Sequence, residues 1–283
     1  MEKVFLEKSV SDFIESGAGN YISKEAAMRA DLAGMKIFDE PAFGYASAND
    51  PLFDELKKPD VIGPHLMLPA QWLPGAKSVV CMFLPFTGRV RDANRKNMDW
   101  PADEWMHARV EGQAFQDEIC RYAISILESE GFAAIAPMID RRFSRNSPFT
   151  RNADEQKYYT SNWSERHASY IAGLGTFGLS KGMITAKGTA GRYLSFITTS
   201  PFEANVRPYS GIFDYCIKCG ACARNCPAKA ISAERGKIHS ICTAFVNRTQ
   251  EKHNPRFGCG KCQVKVPCEA GIPNRDFIKH EIN

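Results

Sequence analysis

The sequence of 283 residues carries 36 basic and 32 acidic residues, for a formal net charge of +4, and 44% of its residues are hydrophobic. This composition supports one large or two modest domains with a buried core, it excludes a disordered chain, and the mild charge is no signature of nucleic-acid binding. The N-terminus has no apolar signal region, and no uncharged run reaches about 18 residues, so we expect a cytoplasmic protein with no membrane association.

The first 76 residues carry few signals of regular structure. Short helical patterns cover Val10–Ser16 and Ser23–Leu32, and a segment rich in Pro and Gly follows from Pro41 to Pro74. The continuous apolar run Ser78–Leu84, ended by Pro85, predicts a strand that is covered on both faces. Within that strand, Cys81 is most simply a small core residue.

The next segment predicts a long amphipathic helix between two buried strands. Apolar residues recur at steps of four, three and four from Phe115 to Ile126, which indicates a helix over residues 108–130 that Gly131 ends. Cys120 borders the apolar face and is interpreted as structural. Residues 132–138 indicate a second buried strand, so the order strand, helix, strand resembles the start of a βαβ unit.

An arginine-rich segment follows, with Arg141, Arg142, Arg145 and Arg151 around Pro148. It fits a solvated loop, and the alternative is an anion site, because guanidinium groups suit phosphate and carboxylate.

A further helix with two strands is predicted after this segment. Asn162 is a plausible helix cap with Glu165 three residues later, and Gly173 ends that helix. His167 on its buried stripe is read as a hydrogen-bonded core histidine rather than a metal ligand. Two further strands are expected at Met183–Ala186 and Tyr193–Thr199.

Gly173, Gly175 and Gly178 match the G-x-G-x-x-G pattern of dinucleotide-binding loops. That motif should follow a strand, open a helix and precede an acidic residue by about twenty positions. Here it follows a predicted helix, and the region around Tyr193 has no Asp or Glu, so we do not expect nicotinamide binding. The glycines still predict a sharp turn whose backbone can approach a flat ligand closely.

Eight of the ten cysteines lie between Cys216 and Cys268. The first four form the run C-x2-C-x2-C-x3-C-P of bacterial two-cluster ferredoxins, in which three thiolates bind one 4Fe-4S cluster and the fourth binds the other. The ferredoxin exchange assigns two ligand sets, called cluster A and cluster B below. Cluster A takes Cys216, Cys219, Cys222 and Cys268, and cluster B takes Cys226, Cys242, Cys259 and Cys262.

Zinc sites and disulfides are the two alternatives to iron–sulfur binding. Cys259-x2-Cys262 alone is ordinary zinc spacing, but a comb of three cysteines followed by Cys-Pro is atypical of tetrahedral zinc sites. A disulfide framework is typical of short secreted chains, which this sequence does not resemble. The pattern therefore favours two 4Fe-4S clusters.

The sequence also resembles a family of reductases. Ser164-Glu165-Arg166, Ala172-Gly-Leu-Gly175 and Gly178, followed by the dicluster run, look like the epoxyqueuosine reductases and their relatives, the reductive dehalogenases. Residues 69–77, which lead into the first buried strand, are similar too, and the likeness extends to about residue 275. The interval Cys262-x5-Cys268 departs from the family's shorter spacing.

The resemblance implies an α/β (α+β) fold: a nitroreductase-like α/β domain over residues 1–205, which binds cobalamin and substrate, and a small ferredoxin-like domain with both clusters over residues 206–283. It implies Tyr159 as the proton donor at the family's acidic position, with Tyr158 as the alternative. The residues expected to contact cobalamin are Gly173, Leu174, Gly175, Gly178, Arg192 and Ser195.

These observations predict a cytoplasmic oxidoreductase whose two clusters pass electrons to cobalamin, which reduces a small-molecule or corrinoid substrate. We expect an electron donor such as ferredoxin or flavodoxin. The sequence ends soon after the second cysteine set, whereas the queuosine enzymes carry further helical repeats that help engage tRNA, so tRNA is not the expected substrate. Two other functions stay open, an electron carrier of the dicluster ferredoxin type without cobalamin and a structural zinc protein.

Overall fold

The computed structural model of the chain describes residues 1–145 and 160–274. Its α-helices are α1 (Lys3–Ser16), α2 (Leu52–Glu55), α3 (Pro69–Trp72), α4 (Gly88–Lys96), α5 (Asp103–Ser129), α6 (Glu165–Ile171), α7 (Ala221–Arg224) and α8 (His239–His253). Its β-strands are β1 (Ala42–Ser47), β2 (Ser78–Pro85), β3 (Ala134–Ile135), β4 (Gly175–Phe177), β5 (Met183–Thr185), β6 (Gly191–Thr198), β7 (Ile231–Ser232) and β8 (Gly236–Lys237). The predicted mixture of helices and sheet is confirmed.

A four-stranded sheet in the order β1-β2-β6-β3 lies at the centre of the larger part of the chain. Every residue of β2 is buried, as the apolar run predicts, and β2 pairs antiparallel with both β1 and β6. Strand β3 also pairs antiparallel with β6, so β6 lies between the two strands of the predicted strand–helix–strand unit. The predicted strands at β5 and β6 are confirmed.

Helix α5 covers one face of this sheet. Its inward residues Phe115 and Ile119 are at most 1% exposed and pack in one apolar cluster with Leu6 and Val10 of α1. The helix begins earlier than predicted, at Asp103, and it ends just before Gly131, which adopts a φ of 82°. Cys120 is buried in this cluster, in agreement with its predicted structural role.

The opposite face of the sheet carries a second apolar cluster, centred on tryptophans. Trp163 stacks with Phe53 at 5.9 Å and meets Trp72 edge-on at 6.4 Å between ring centroids. Cys81 of β2 is buried in this cluster, again as predicted. Helix α6 packs here against β2 and β6, which positions the segment that follows it.

Three predicted elements are wrong. Residues 23–32 form turns and a short 3-10 helix instead of an α-helix, because Arg29 leaves the helical path and bonds Asp103 and Glu104 of α5. The predicted strand over residues 132–138 shrinks to Ala134–Ile135, because Pro137 lacks an N–H and begins a 3-10 turn.

The third concerns the start of α6. Asn162 does not cap this helix, because its side chain accepts a hydrogen bond from the Ser144 N–H at 2.9 Å and donates to the Arg142 carbonyl at 2.8 Å. Ser164 takes the N-cap position instead.

Residues 206–274, called the smaller part below, contact α4 and α5. The smaller part contains the β7–β8 hairpin, α7 and α8, and its loops contact Asn94, Arg95 and Trp105 of the larger part. In the two described ranges, no helix combines the length and the apolar character that a bilayer span requires.

Candidate iron-sulfur site and its surroundings

The four thiols assigned to cluster A surround one cavity. Cys216, Cys219, Cys222 and Cys268 all line a space of about 410 Å³ that includes some open solvent. Burial, together with the nearby thiols of Cys222, Cys216 and Cys219, raises the pKa of Cys268 to about 12. Cys268 therefore joins the first three cysteines despite the longer interval that precedes it.

The four thiols assigned to cluster B also lie near one another. Burial raises the pKa of Cys259 to about 12, and the nearby thiols of Cys262 and Cys242 contribute to this rise. Burial likewise raises the pKa of Cys262, with Cys242 and Cys226 acting in the same direction. These proximities are compatible with the two ligand sets that the ferredoxin pattern predicts, and the assignment of each thiol to a cluster stays a prediction.

The two sets adjoin each other. Burial raises the pKa of Cys222 to about 12, and Cys262 of the other set is the nearby thiol with the largest effect. Both cysteines also pack against the small apolar cluster formed by Cys226, Ala230 and Ile231. Across the described residues each of the ten cysteines is a free thiol, and no three His, Cys, Asp or Glu side chains are arranged to hold a single metal ion.

The loop around Cys259 presses directly onto α5. Gly260 has a φ of 66°, and a Cβ added there would overlap the Trp105 indole ring. A Cβ on Gly258 would lie 3.1 Å from Cδ of Arg109. These two glycines let the loop approach the helix, so the cluster B thiols lie next to the larger part of the chain.

Lys261 fixes this loop from inside. Its side chain is fully buried, and Nζ donates to the backbone oxygen and to Oδ1 of Asn94, both at 2.6 Å. Nδ2 of Asn94 in turn donates to the Cys259 carbonyl at 2.9 Å. Burial lowers the pKa of Lys261 to about 8, while the nearby Cys259 thiolate acts in the opposite direction. No sequence motif identified Asn94.

An ion pair between a partly exposed arginine and a buried carboxylate fixes the segment that carries Cys268. The Glu269 side chain is 5% exposed, and Arg95 of α4 donates to both of its oxygens, at 3.0 and 2.5 Å. The Lys265 N–H donates to the same carboxylate at 2.8 Å. The sequence alone does not indicate this ion pair, because Arg95 and Glu269 are 174 positions apart and neither residue belongs to a motif.

The glycine turn runs from a helix into a strand, the reverse of the order found in a dinucleotide-binding loop. Gly173 follows α6 with a φ of 85°, and Leu174 packs against the tryptophan cluster. Gly175 opens β4, where a Cβ would overlap the Ile184 carbonyl of β5. Gly178 lines the cluster A cavity. The turn therefore contacts the cluster site at Gly178, whereas Gly175 is covered by β5.

Arg192 and Ser195 project from opposite faces of β6. Arg192 faces α5, donates to Gln116 Oε1 at 3.1 Å and also bonds Gln113. Ser195 is 1% exposed, and its hydroxyl accepts a hydrogen bond from Trp163 Nε1 at 2.9 Å. The two predicted cofactor contacts therefore do not share one face of the sheet.

The remaining predicted residues are placed as follows. Tyr158 and Tyr159 lie outside the described residues, as do Arg151 and Pro148. Arg142 bonds Asp140 and the carbonyls of residues 71 and 72, so it serves the loop's own structure. His167 bonds Ser164 Oγ at 2.7 Å, and burial lowers its pKa to about 4.

The structure brings four arginines together that are spread over the sequence. Burial, together with repulsion from Arg109, Arg145 and Arg166, lowers the pKa of Arg192 to about 9. Arg109 and Arg166 in turn lie near the cluster B thiols Cys242, Cys259 and Cys262. Only the tertiary fold reveals this positive region beside cluster B, because its members come from α5, α6, β6 and a loop.

Glu165 is a buried acid within the Ser164-Glu165-Arg166 motif. Neither of its carboxylate oxygens has a hydrogen-bond partner among the described residues. Burial raises its pKa to about 8, and the nearby Ser195 hydroxyl acts weakly in the opposite direction. The side chain is therefore mostly a neutral carboxylic acid at pH 7.

This raised pKa predicts a specific pH dependence of stability. Between about pH 4.5 and 8 the unfolded chain loses the Glu165 proton while the folded chain keeps it, so the free energy of unfolding falls as pH rises. In Glu165→Gln this contribution to the decrease is expected to disappear, so the free energy of unfolding of the variant should rise relative to that of the parent between pH 5.5 and 7.5. Anaerobic denaturant unfolding at both pH values measures this difference. The surface variant Glu128→Gln should follow the parent, and an identical pH response of Glu165→Gln would contradict the prediction.

Comparisons with known proteins agree with this geometry. Residues 211–232 match the 4Fe-4S binding domain family. A structure of epoxyqueuosine reductase with an epoxyqueuosine-modified tRNA stem loop is 18% identical, with a TM-score of 0.51, over 97% of this chain and 70% of that chain. A catabolic reductive dehalogenase variant is 16% identical, with a TM-score of 0.51, over 98% of this chain and 38% of that chain.

A third structure, a reductive dehalogenase described in terms of a B12-dependent mechanism, is 16% identical, with a TM-score of 0.50, over 86% of this chain and 32% of that chain. No curated protein sequence matches the chain. The chain therefore has the fold shared by epoxyqueuosine reductases and reductive dehalogenases, with a 4Fe-4S binding segment in its smaller part.

Proposed function

We propose that the chain is an iron–sulfur oxidoreductase in which two 4Fe-4S clusters pass single electrons to a cobalamin that reduces a small-molecule or corrinoid substrate. The observation that carries the electron-transfer part is the meeting of Cys268 with the first three cysteines around one cavity. A 4Fe-4S cluster takes four thiolates, and the second set of four adjoins the first through Cys222 and Cys262.

Within this proposal the chain divides into residues 1–205, which bind cobalamin and substrate, and residues 206–283, which hold the clusters. Each cluster, when bound, accepts and donates one electron at a time. The chain's own contribution is to hold the thiols, through the Lys261–Asn94 and Glu269–Arg95 contacts, and to cover Cys226 and Cys262 from water. An electron carrier such as ferredoxin or flavodoxin supplies the electrons.

Support for cobalamin comes from the sequence resemblance and from the fold shared with a dehalogenase described as B12-dependent. Cobalamin supplies a cobalt centre for reduction. Among the predicted contacts, Gly178 beside the cluster A cavity and Arg192 deep beside α5 fit this role. Gly175 and Ser195 fit it less well, because protein atoms cover both. Tyr159, or Tyr158, stays the predicted proton donor.

The covering of Gly175 and Ser195 favours one second candidate, an electron carrier with both clusters and no cobalamin. In that protein the larger part would bind a partner. The tRNA stem loop belongs to the description of the epoxyqueuosine reductase structure and says nothing about the substrate of this chain. For this chain we keep a small molecule or a corrinoid as the proposed substrate.

Anaerobic reconstitution with iron and sulfide, followed by metal analysis and paramagnetic resonance with and without added cobalamin, tests the proposal. We expect about eight irons per chain and uptake of one cobalamin that shifts the cobalt signal. Eight irons without corrinoid uptake would favour the carrier. A colourless protein with about two zincs would exclude both readings. An added tRNA stem loop is expected not to bind.

A further inference from the structure

The two thiol sets differ in the charges that surround them. Among the described residues that line the cluster A cavity, Lys218 is the one charged side chain, and it is exposed to solvent, where its field is screened. Cluster B instead adjoins α5 through the loop of Gly258 and Gly260, where nearby buried charges act over a lower dielectric than in solvent. Two cations at this contact, Lys261 and Arg109, form no ion pair with a carboxylate among the described residues.

Lys261 lies along the chain between Cys259 and Cys262, two thiols assigned to cluster B. Its ammonium is fully buried and bonds two neutral oxygens of Asn94, and no described carboxylate lies within ion-pair distance. A buried ammonium without a counter-ion is strongly disfavoured in a protein interior. Among the nearby acidic groups that raise the pKa of Lys261, the Cys259 thiol has the largest effect and Asp99 has a smaller one.

Arg109 is placed in the same way from α5. Its Cδ lies against Gly258, and its guanidinium lies 4.4 Å from the centroid of the Phe257 ring. Its Nε has no hydrogen-bond partner among the described residues. The thiols that act on it electrostatically are Cys242 and Cys259, both of cluster B. Packing on both sides thus holds this cation beside the same cluster.

We propose that Lys261 and Arg109 hold the reduction potential of cluster B above that of cluster A, so that electrons enter at A and move on to B beneath α5. This inference rests on the two clusters of the proposed function. When the donor, a one-electron carrier, reduces cluster A, that cluster passes its electron to B and is reoxidised. Reduction adds one negative charge to B, and the two cations stabilise it.

A redox titration followed by paramagnetic resonance, on the full reconstituted chain, measures both potentials. The Cys268→Ser variant, which is expected to lack cluster A, identifies the signal of cluster B. In the parent we expect B to be reduced before A. In Arg109→Gln and in Lys261→Gln we expect the reduction potential of cluster B to fall by about 59 mV, which is a tenfold change in the equilibrium constant of a one-electron transfer. The reduction potential of cluster A is expected to remain unchanged.

Two controls separate charge from structure. Arg109→Lys keeps the charge and is expected to restore most of the B potential, and Arg121→Gln, an exposed change on the same helix, is expected to leave both potentials unaltered. If A is reduced first in the parent, or if the B potential is the same in Arg109→Gln and the parent, the inference is overturned while the two-cluster proposal stands. A preparation with about four irons per chain would overturn both.

Discussion

Replacing Cys268 with serine is expected to reduce the iron content of the anaerobically reconstituted protein from about eight to about four atoms per chain. Cys268 completes the set around the cluster A cavity, and no other cysteine lines that cavity beyond the three that the comb supplies. The thiols of cluster B are carried by other segments and stay in place. Iron and sulfide analysis, together with the loss of one of two paramagnetic signals on reduction, measures the result.

Cys120→Ala is the matched control for this experiment. Cys120 is a buried thiol in the core beneath α5, away from both sets, so its removal should cost some stability and leave the iron content at about eight. If Cys268→Ser also retained about eight irons, the assignment of Cys268 to cluster A would be wrong. The proposed division into two sets would then need another fourth ligand.

Gly260→Ala is expected to lower the free energy of unfolding by about 2–5 kcal/mol and to prevent cluster B from forming. The left-handed backbone at φ 66° disfavours any Cβ by about 1–2 kcal/mol, and the overlap with Trp105 adds an overpacking cost of about 1–3 kcal/mol. Relief of the overlap moves the loop that carries Cys259 and Cys262 away from α5. Anaerobic denaturant unfolding and iron analysis measure both effects.

Gly131→Ala separates backbone strain from steric overlap. Gly131 has a φ of 82°, and nothing lies within 4 Å of a Cβ added there. We therefore expect this variant to lose only about 1–2 kcal/mol and to keep its full iron content. Equal losses in the two variants would show that the contact between the Cys259 loop and Trp105 contributes little.

The sequence was informative where chemistry depends on local spacing. The comb from Cys216 to Cys226 lies within eleven residues, so its pattern alone predicts two sets of cysteine ligands. The buried strand β2 and helix α5 were predictable for a similar reason, because burial on both faces or on one face leaves a periodic signal. That signal does not extend to element ends, and α5 begins five residues before the prediction.

The contacts that hold the site in place were not predictable, because they depend on long-range packing. Asn94 and Lys261 are 167 positions apart, and no local pattern connects them. Arg192 and Ser195 were grouped as contacts to one ligand, yet their spacing of three along a strand puts them on opposite faces. The helix predicted at residues 23–32 failed for the same kind of reason, since Arg29 is held by α5.

The contacts of α4 bear on how separable the two parts of the chain are. Asn94 and Arg95, neighbours in this helix, satisfy a buried lysine and a buried glutamate from the smaller part. A fragment of residues 206–283 would carry both charges without their partners and would leave the Trp105-facing side of the Cys259 loop bare. We therefore expect the ferredoxin-like segment to unfold together with the preceding residues, and its transfer to another protein would require α4 and α5 as well.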